Sequence, residues 1–161
     1  MVIVIMGVAG SGKTTVGRAL AAALGWSFRD ADDFHPAANV AKMSAGQPLT
    51  DADRAPWLAA IRTYIDDTLT RSGDAVVTCS ALKERYRVAL VADPARVKLV
   101  HLTGDPALLA ARIAGRRDHF MQPAMLASQL AALEPPHDAL AVDVAGSHDT
   151  IVAHIRRAFA R

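Results

Sequence analysis

The chain has 161 residues, of which 52% are hydrophobic, and its 18 basic and 16 acidic residues give a formal net charge of +2. This length predicts one domain over residues 1–161 with a sizeable core, and the hydrophobic fraction excludes a disordered chain. The small net charge excludes a strong nucleic-acid footprint, and no apolar run reaches the length of a membrane span.

Apolar runs that alternate with helical patterns predict a parallel sheet with helices on both faces. The segment 50–53 predicts a capping box that opens a long helix, and Asp105-Pro106 predicts the start of another. Ligands bind such sheets beyond the carboxyl ends of the strands. Because no basic residues precede the short first apolar run, we expect no signal peptide and a cytoplasmic protein. The predicted strands are Val2–Met6, 26–29, 75–79, 97–102 and 140–144.

Residues 7–14 (GVAGSGKT) fit the phosphate-binding pattern G-x-x-x-x-G-K-[ST] directly after the first predicted strand. The glycines let backbone N–H groups face one anion, and the following helix adds its positive dipole end. Lys13 supplies a charge to the outer phosphates, and the Thr14 hydroxyl suits Mg²⁺. The pattern predicts a nucleoside triphosphate site, with a glycine-rich turn and a surface lysine as the alternative. The predicted nucleotide-binding residues of this loop are Gly7, Gly10, Ser11, Gly12, Lys13, Thr14 and Thr15.

Three aspartates, Asp30, Asp32 and Asp33, follow the second predicted strand and precede His35. Alternation along an extended chain places Asp30 and Asp32 on the same side. In phosphoryl transfer, one carboxylate can hold the water shell of Mg²⁺, and another can orient the attacking hydroxyl and accept its proton. The cluster therefore indicates a catalytic site. A solvated acidic turn that caps the next helix is the alternative.

Cations occur in two further segments, of which the second directly follows the third predicted strand. Lys42 and Arg54 suit an anionic substrate, although Arg54 can instead pair with the aspartate at 51 or 53. Lys83 and Arg87 are four residues apart and share a face if both lie on one helix. Two cations on one face repel each other unless an anion lies between them. These residues indicate an anion site, with a solvated basic helix start as the alternative.

The stretch 115–123 is polar, basic and without apolar periodicity, and it predicts a mobile lid. Arg112 and Arg116 are also four residues apart. Arginines on a lid suit phosphoryl transfer, because closing brings positive charge to the phosphate oxygens and excludes water. An exposed helix end with basic residues, which the helix dipole favours, is the alternative.

Together these motifs resemble those of the small P-loop gluconokinases over nearly the whole chain. The P-loop alone is shared by many kinases and ATPases, whereas the runs that follow are more specific. The resemblance implies a P-loop NTPase fold of three α/β/α layers around a five-stranded parallel sheet, similar to nucleoside monophosphate kinases and shikimate kinase, with a lid. The specific runs are 30–36 (DADDFHP), 53–58 (DRAPWL), 79–83 (CSALK), 119–120 (HF) and 133–135 (LEP).

The resemblance also implies ATP-dependent phosphorylation of D-gluconate at its C6 hydroxyl, giving 6-phospho-D-gluconate and ADP. It implies a homodimer that binds neither nucleic acid nor membrane. Lys13, Asp32 and Arg116 would be catalytic, with Asp32 as base or orienter of the hydroxyl. Thr14 would bind Mg²⁺ directly and Asp30 through water. The substrate-binding residues that the resemblance implies are Asp32, His35, Lys42, Arg54, Lys83 and Arg87.

The resemblance places Arg112 against adenine and Arg116 at the transferring phosphate. One departure concerns the same region, since Asp118 stands where the family commonly has glycine before His119-Phe120. A carboxylate there can pair with a lid arginine or change the flexibility of the lid. The departure concerns the details of the lid and leaves the predicted reaction unchanged.

Other functions are less consistent with the motifs. A shikimate kinase usually has a glycine-rich run after the third strand, where this chain has Cys79-Ser80-Ala81. A nucleoside monophosphate kinase would lack the run 53–58. A GTP-binding switch needs an Asn-Lys-x-Asp motif, and the only asparagine, Asn39, does not begin one. A non-catalytic ATP-binding module is the alternative from another class.

Overall fold

The computed structural model describes residues 1–115 and 123–159. Five parallel strands form one sheet in the order β2-β3-β1-β4-β5. The strands are β1 (Val2–Met6), β2 (Ser27–Asp30), β3 (Ala75–Thr78), β4 (Val97–Thr103) and β5 (Leu140–Asp143). The helices are α1 (Lys13–Leu24), α2 (Ala37–Ser44), α3 (Asp51–Thr70), α4 (Glu84–Leu90), α5 (Pro106–Ala114), α6 (Pro123–Ala132) and α7 (His148–Phe159). The predicted five-stranded parallel sheet is confirmed, with strand ends shifted by a residue or so.

The central strand β1 is buried at all five of its residues and separates two apolar layers. Its alternate side chains point to opposite faces, as the period of a strand requires. Ile3 and Ile5 pack with α1 and α7 on one face, whereas Val2, Val4 and Met6 pack with α3 and α4 on the other. Continuous apolar runs are typical of parallel strands that helices cover on both sides. The structure thus has the predicted three layers.

Both predicted helix starts are confirmed by their hydrogen bonds. Asp53 N–H donates to Thr50 Oγ1 at 3.2 Å, and Thr50 N–H donates to Asp53 Oδ2 at 2.8 Å, which completes the capping box of α3. Asp105 caps α5 by accepting a hydrogen bond from Ala107 N–H at 2.8 Å, with proline in the first turn. Asp105 lies just after the carboxyl end of β4, so α5 begins at that edge of the sheet.

Gly17 lets α1 pack closely on the sheet, and its replacement tests that packing. A Cβ atom at Gly17 would lie 2.6 Å from Thr78 Cγ2 and 2.9 Å from Phe28 Cε2. We expect Gly17→Ala to lower the free energy of unfolding by about 1–3 kcal/mol, because overpacking outweighs the better helix propensity of alanine. Urea unfolding measures the change. Ala22→Gly, an exposed position on the same helix, gives the propensity effect alone, and a stabilised Gly17→Ala variant would contradict the prediction.

The predicted lid and several residues predicted within it fall partly or wholly outside the described residues. The predicted lid spans 115–123, and the structure describes only its ends, where Gly115 follows α5 and α6 begins at Pro123. Arg116, Asp118, His119 and Phe120 therefore lie outside the described residues. Within the described ranges, no helix combines the length and apolar character needed to cross a bilayer.

Candidate active site

The loop between β1 and α1 has the backbone that the phosphate-binding pattern requires. Gly10 and Gly12 adopt φ angles of +79° and +84°, a conformation that residues with a Cβ atom rarely adopt. The Ser11 hydroxyl donates to the carbonyl of Val8 at 2.8 Å, and Lys13 Nζ donates to the same carbonyl at 3.2 Å. The loop is therefore compact, with two of its side chains bound to one of its own carbonyls. It ends at the amino terminus of α1, where the free N–H groups and the helix dipole favour binding of an anion.

Thr14 and Asp30 lie side by side where α1 begins and β2 ends. Thr14 Oγ1 donates to Asp30 Oδ2 at 3.0 Å, and Asp30 Oδ1 accepts a hydrogen bond from Asp32 N–H at 3.1 Å. A hydroxyl and a carboxylate are oxygen donors of the kind that Mg²⁺ prefers. The described residues contain no group of three or more His, Cys, Asp or Glu side chains that could hold a metal by themselves. The pair therefore fits an ion that keeps waters and phosphate oxygens as its other ligands.

Asp32 lies in the short helical turn after β2 (Ala31–Phe34), and its side chain is 86% exposed. Its pKa is raised above the usual value, first because neighbouring protein groups partly desolvate the carboxylate and then because the negative charge of Asp30 repels it. Lys13 and His35 act in the opposite direction. Open access and a raised pKa are properties of a carboxylate that can accept a proton from a bound hydroxyl.

His35 connects Asp32 to the long helix α3. Its ring stacks on Trp57 with 4.4 Å between centroids, and Nε2 lies 3.9 Å from Asp32 Oδ1. Asn39 Nδ2 donates to the Asp53 carbonyl at 2.8 Å and lies 3.3 Å from His35 Nδ1. Since that amide nitrogen is a donor, Nδ1 is the acceptor and Nε2 carries the proton that faces Asp32. Burial lowers the pKa of His35, which favours the neutral ring.

The structure gives Lys42 and Arg54 different partners from those considered in the sequence. Lys42 Nζ pairs with Asp53 at 2.8 Å, and this hydrogen bond is the main reason that the pKa of Asp53 falls to about 2. Arg54 instead donates from Nη1 to the Leu49 carbonyl at 2.7 Å. Asp51 binds Tyr86 and Arg85. Lys42 therefore neutralises an aspartate at the start of α3, whereas Arg54 keeps no carboxylate partner among the described residues.

A cavity of about 220 Å³ lies beside Trp57 and holds two of the predicted cations. Lys83 and Arg54 both line it, and Lys83 is the residue immediately before α4. Trp57 links this cavity to His35 and thus to Asp32. The site therefore brings cations and the Asp32 carboxylate to one edge of the sheet. The lining residues are Arg54, Trp57, Ser80, Leu82, Lys83, Tyr86 and Ala132.

Arg87 does not join Lys83 in this cavity. Its side chain is buried, donates from Nη1 to the carbonyls of Ala81 and Leu82 at 3.0 and 3.1 Å, and lines a separate cavity behind the loop. The expected shared face is absent because α4 begins only at Glu84, so Lys83 lies before the helix. Arg87 supports the loop from inside.

The remaining predicted residues take several positions. Arg112 Nη2 donates to the Val144 carbonyl at 2.6 Å, in the loop after β5, and Thr15 is exposed in the first turn of α1.

Cys79 is buried at the end of β3, where burial raises the pKa of its thiol to about 12 and keeps it unreactive. Sequence reasoning missed Gln129, which binds the P-loop, and it assigned no role to Glu134 of the run 133–135, which binds the loop before α4. Contacts that span 120 and 50 residues leave no local pattern to detect.

Comparisons with known proteins identify the family of this chain. A family model described as an AAA domain matches residues 2–136. A gluconokinase of Gluconobacter oxydans (strain 621H) is 51% identical over 136 residues, which cover 84% of this chain and 76% of that protein.

One solved structure supports the same family, and another shows the fold. The crystal structure of a gluconokinase from Sinorhizobium meliloti 1021 matches with a TM-score of 0.82 at 46% identity, covering 94% of this chain and 86% of that one. A shikimate kinase from Aquifex aeolicus matches with a TM-score of 0.63 at 16% identity, covering 98% of this chain and 95% of that one, which shows a shared fold alone. From the fold, the site and these relatives, the chain belongs to the gluconokinase family, within the P-loop kinase fold.

Proposed function

We propose that this chain transfers the γ-phosphoryl group of ATP to the C6 hydroxyl of D-gluconate, giving 6-phospho-D-gluconate and ADP. The observation that carries the proposal is a continuous path of contacts between a cationic cavity and the nucleotide loop. Arg54 and Lys83 line the cavity beside Trp57, which stacks on His35, and His35 faces Asp32. The Asp32 N–H donates to Asp30, and Asp30 accepts a hydrogen bond from Thr14 of the P-loop.

The nucleotide side of the site neutralises phosphate charge. Backbone N–H groups of the P-loop and the Lys13 ammonium bind the phosphates, and Thr14 and Asp30 are placed to hold Mg²⁺, Asp30 through water. The ion supplies further positive charge to the phosphate oxygens when it is bound. Arg112 and Arg116 stay predicted as nucleotide-binding residues. Catalysis of this kind consists mainly of positioning and charge stabilisation.

Asp32 accepts the proton of the attacking hydroxyl. A bond forms between the C6 oxygen and the γ-phosphorus, the bond from that phosphorus to the β,γ-bridging oxygen breaks, and ADP leaves with the electron pair. The hydroxyl proton passes to the Asp32 carboxylate. His35 Nε2 lies 3.9 Å from Asp32 Oδ1, beyond hydrogen-bond length, so His35 borders that carboxylate, and it stays predicted as a substrate-binding residue.

The sugar-acid side of the site binds a polyol that carries a carboxylate. Lys83 and Arg54 are the cations of the cavity, so we assign them to the carboxylate and its neighbouring hydroxyls. Lys42 pairs with Asp53 and Arg87 binds backbone carbonyls, so we assign both to support of the site.

An ADP-release assay with ATP and Mg²⁺ tests the function. D-gluconate, other sugar acids and shikimate are compared at equal concentration. We expect turnover with gluconate above the background without acceptor. Turnover with shikimate alone would identify a shikimate kinase, and ATP binding without turnover on any acceptor would identify a non-catalytic module.

Lys83→Ala tests the assignment of the carboxylate. We expect the KM for gluconate to rise about 10- to 100-fold, because a charged hydrogen-bonding partner is lost, while the KM for ATP stays unchanged. Steady-state kinetics with each substrate varied in turn measures both values. Lys98→Ala, at the amino end of β4 and thus at the opposite edge of the sheet, is the matched control. An equal rise in both KM values would contradict the assignment.

Three further properties stay proposals that rest on the resemblance to gluconokinases. They are Mg²⁺ as the metal, a homodimer as the assembly and the cytoplasm as the location. Light scattering of the purified protein measures its mass in solution and decides the second.

A further inference from the structure

The P-loop is bound from outside by the helix α6. Gln129 Oε1 accepts a hydrogen bond from Ala9 N–H at 2.7 Å. Ala9 is buried at the third position of the loop, so its N–H has little access to water. A buried N–H without a partner is costly, and Gln129 therefore favours one backbone conformation of the loop.

The loop that carries Lys83 is bound by the residue that lies two positions after α6. Glu134 N–H donates to the Leu82 carbonyl at 2.8 Å, and Glu134 Oε2 accepts a hydrogen bond from Glu84 N–H at 2.7 Å. These two contacts lie on either side of Lys83. They fix the backbone from which the Lys83 side chain reaches the cavity.

This loop needs such support because its backbone is strained. Ala81 is buried and has a φ of +43°, in the left-handed region that costs a residue with a Cβ about 1–2 kcal/mol. Strained conformations persist where the surrounding structure determines them. Here the determining contacts come from Arg87 on the inside and Glu134 on the outside.

We propose that Gln129 and Glu134 are positioning residues, Gln129 for nucleotide binding and Glu134 for sugar-acid binding. Leu133 packs against both apolar layers and anchors the segment 129–134 that joins them. One short segment thereby sets the P-loop and the Lys83 loop in fixed relation. The inference rests on the proposed function, since it assigns the two loops to two substrates.

Single variants in the full chain test the two roles separately. Gln129→Ala is expected to raise the KM for ATP and the calorimetric Kd for ATP about two- to tenfold, the effect of one lost hydrogen bond, with the KM for gluconate unchanged. Glu134→Ala is expected to raise the KM for gluconate by a similar factor with the KM for ATP unchanged. Glu134→Gln keeps an acceptor oxygen for Glu84 N–H and is expected to restore most of the loss.

The controls are Ser128→Ala and Asp138→Ala, at exposed neighbouring positions. Equal changes in both KM values, or none, in variants of an active wild-type enzyme would overturn the inference. If the wild type shows no gluconate-dependent turnover, the proposed function fails, and two other readouts decide the positioning roles. These are the Kd for ATP in Gln129→Ala and amide hydrogen exchange at 82–84, which is expected to quicken in Glu134→Ala and not in Glu134→Gln.

Discussion

Asp32→Asn is expected to lower kcat about 10²- to 10⁴-fold and to leave the Kd for ATP within about twofold of wild type. The amide has nearly the same shape as the carboxylate and still accepts a hydrogen bond from the substrate hydroxyl, but it cannot take up the proton. The P-loop contacts are untouched by the change, so nucleotide binding persists. Steady-state kinetics and calorimetry measure the two quantities.

The pH dependence of kcat/KM separates loss of the proton acceptor from loss of structure. In the proposed mechanism Asp32 must be ionised, so kcat/KM falls as the pH decreases through the pKa of Asp32 in the free enzyme, which lies above its usual value. This acid limb is expected to disappear in Asp32→Asn. Asp33→Asn, at an exposed neighbouring position, is the matched control and keeps kcat. Turnover near that of wild type in Asp32→Asn would remove Asp32 from the role of proton acceptor.

The parts of the fold that local chemistry determines were predictable from the sequence. A strand that helices cover on both faces has a continuous apolar sequence, so the apolar run of β1 predicts a buried parallel strand. The structure places β1 between two apolar layers, as predicted. The capping box at Thr50 and the proline after Asp105 predict helix starts because they satisfy nearby N–H groups. The P-loop is equally local, since its glycines, its lysine and the helix start occupy consecutive positions.

The roles of the site residues were less predictable where contacts between residues far apart in the sequence decide which partner each side chain has. Lys42 and Arg54 are both cations near the start of α3, and only the fold shows that Lys42 pairs with Asp53. Arg87 has the spacing of a ligand-binding partner for Lys83, yet the helix begins too late for them to share a face. Gln129 contacts Ala9 across 120 residues, and no spacing rule reaches that far. The sequence thus indicates which residues carry chemistry, whereas packing selects which of them face the substrate.

Gly10→Ala is expected to lower the free energy of unfolding by about 2–5 kcal/mol and to abolish measurable ATP binding. Two effects act at this position. Gly10 has a φ of +79°, which costs an alanine about 1–2 kcal/mol. Its Cβ would also lie 2.8 Å from the Leu109 carbonyl oxygen and 2.9 Å from Ile113 Cγ1, which adds a cost of overpacking of about 1–3 kcal/mol. Because Leu109 contributes a helix carbonyl that cannot yield, the P-loop must shift instead.

Gly25→Ala separates these two effects. Gly25 has a similar φ of +69° at the end of α1, and nothing lies within 4 Å of its hypothetical Cβ. It is therefore expected to lose only about 1–2 kcal/mol and to bind ATP as wild type does. Urea unfolding and calorimetry of both variants give the comparison. If Gly10→Ala loses no more stability than Gly25→Ala and still binds ATP, contact with α5 does not hold the P-loop in place. A larger loss together with absent binding means that the close packing of Gly10 on α5 keeps the loop in the conformation that binds phosphate.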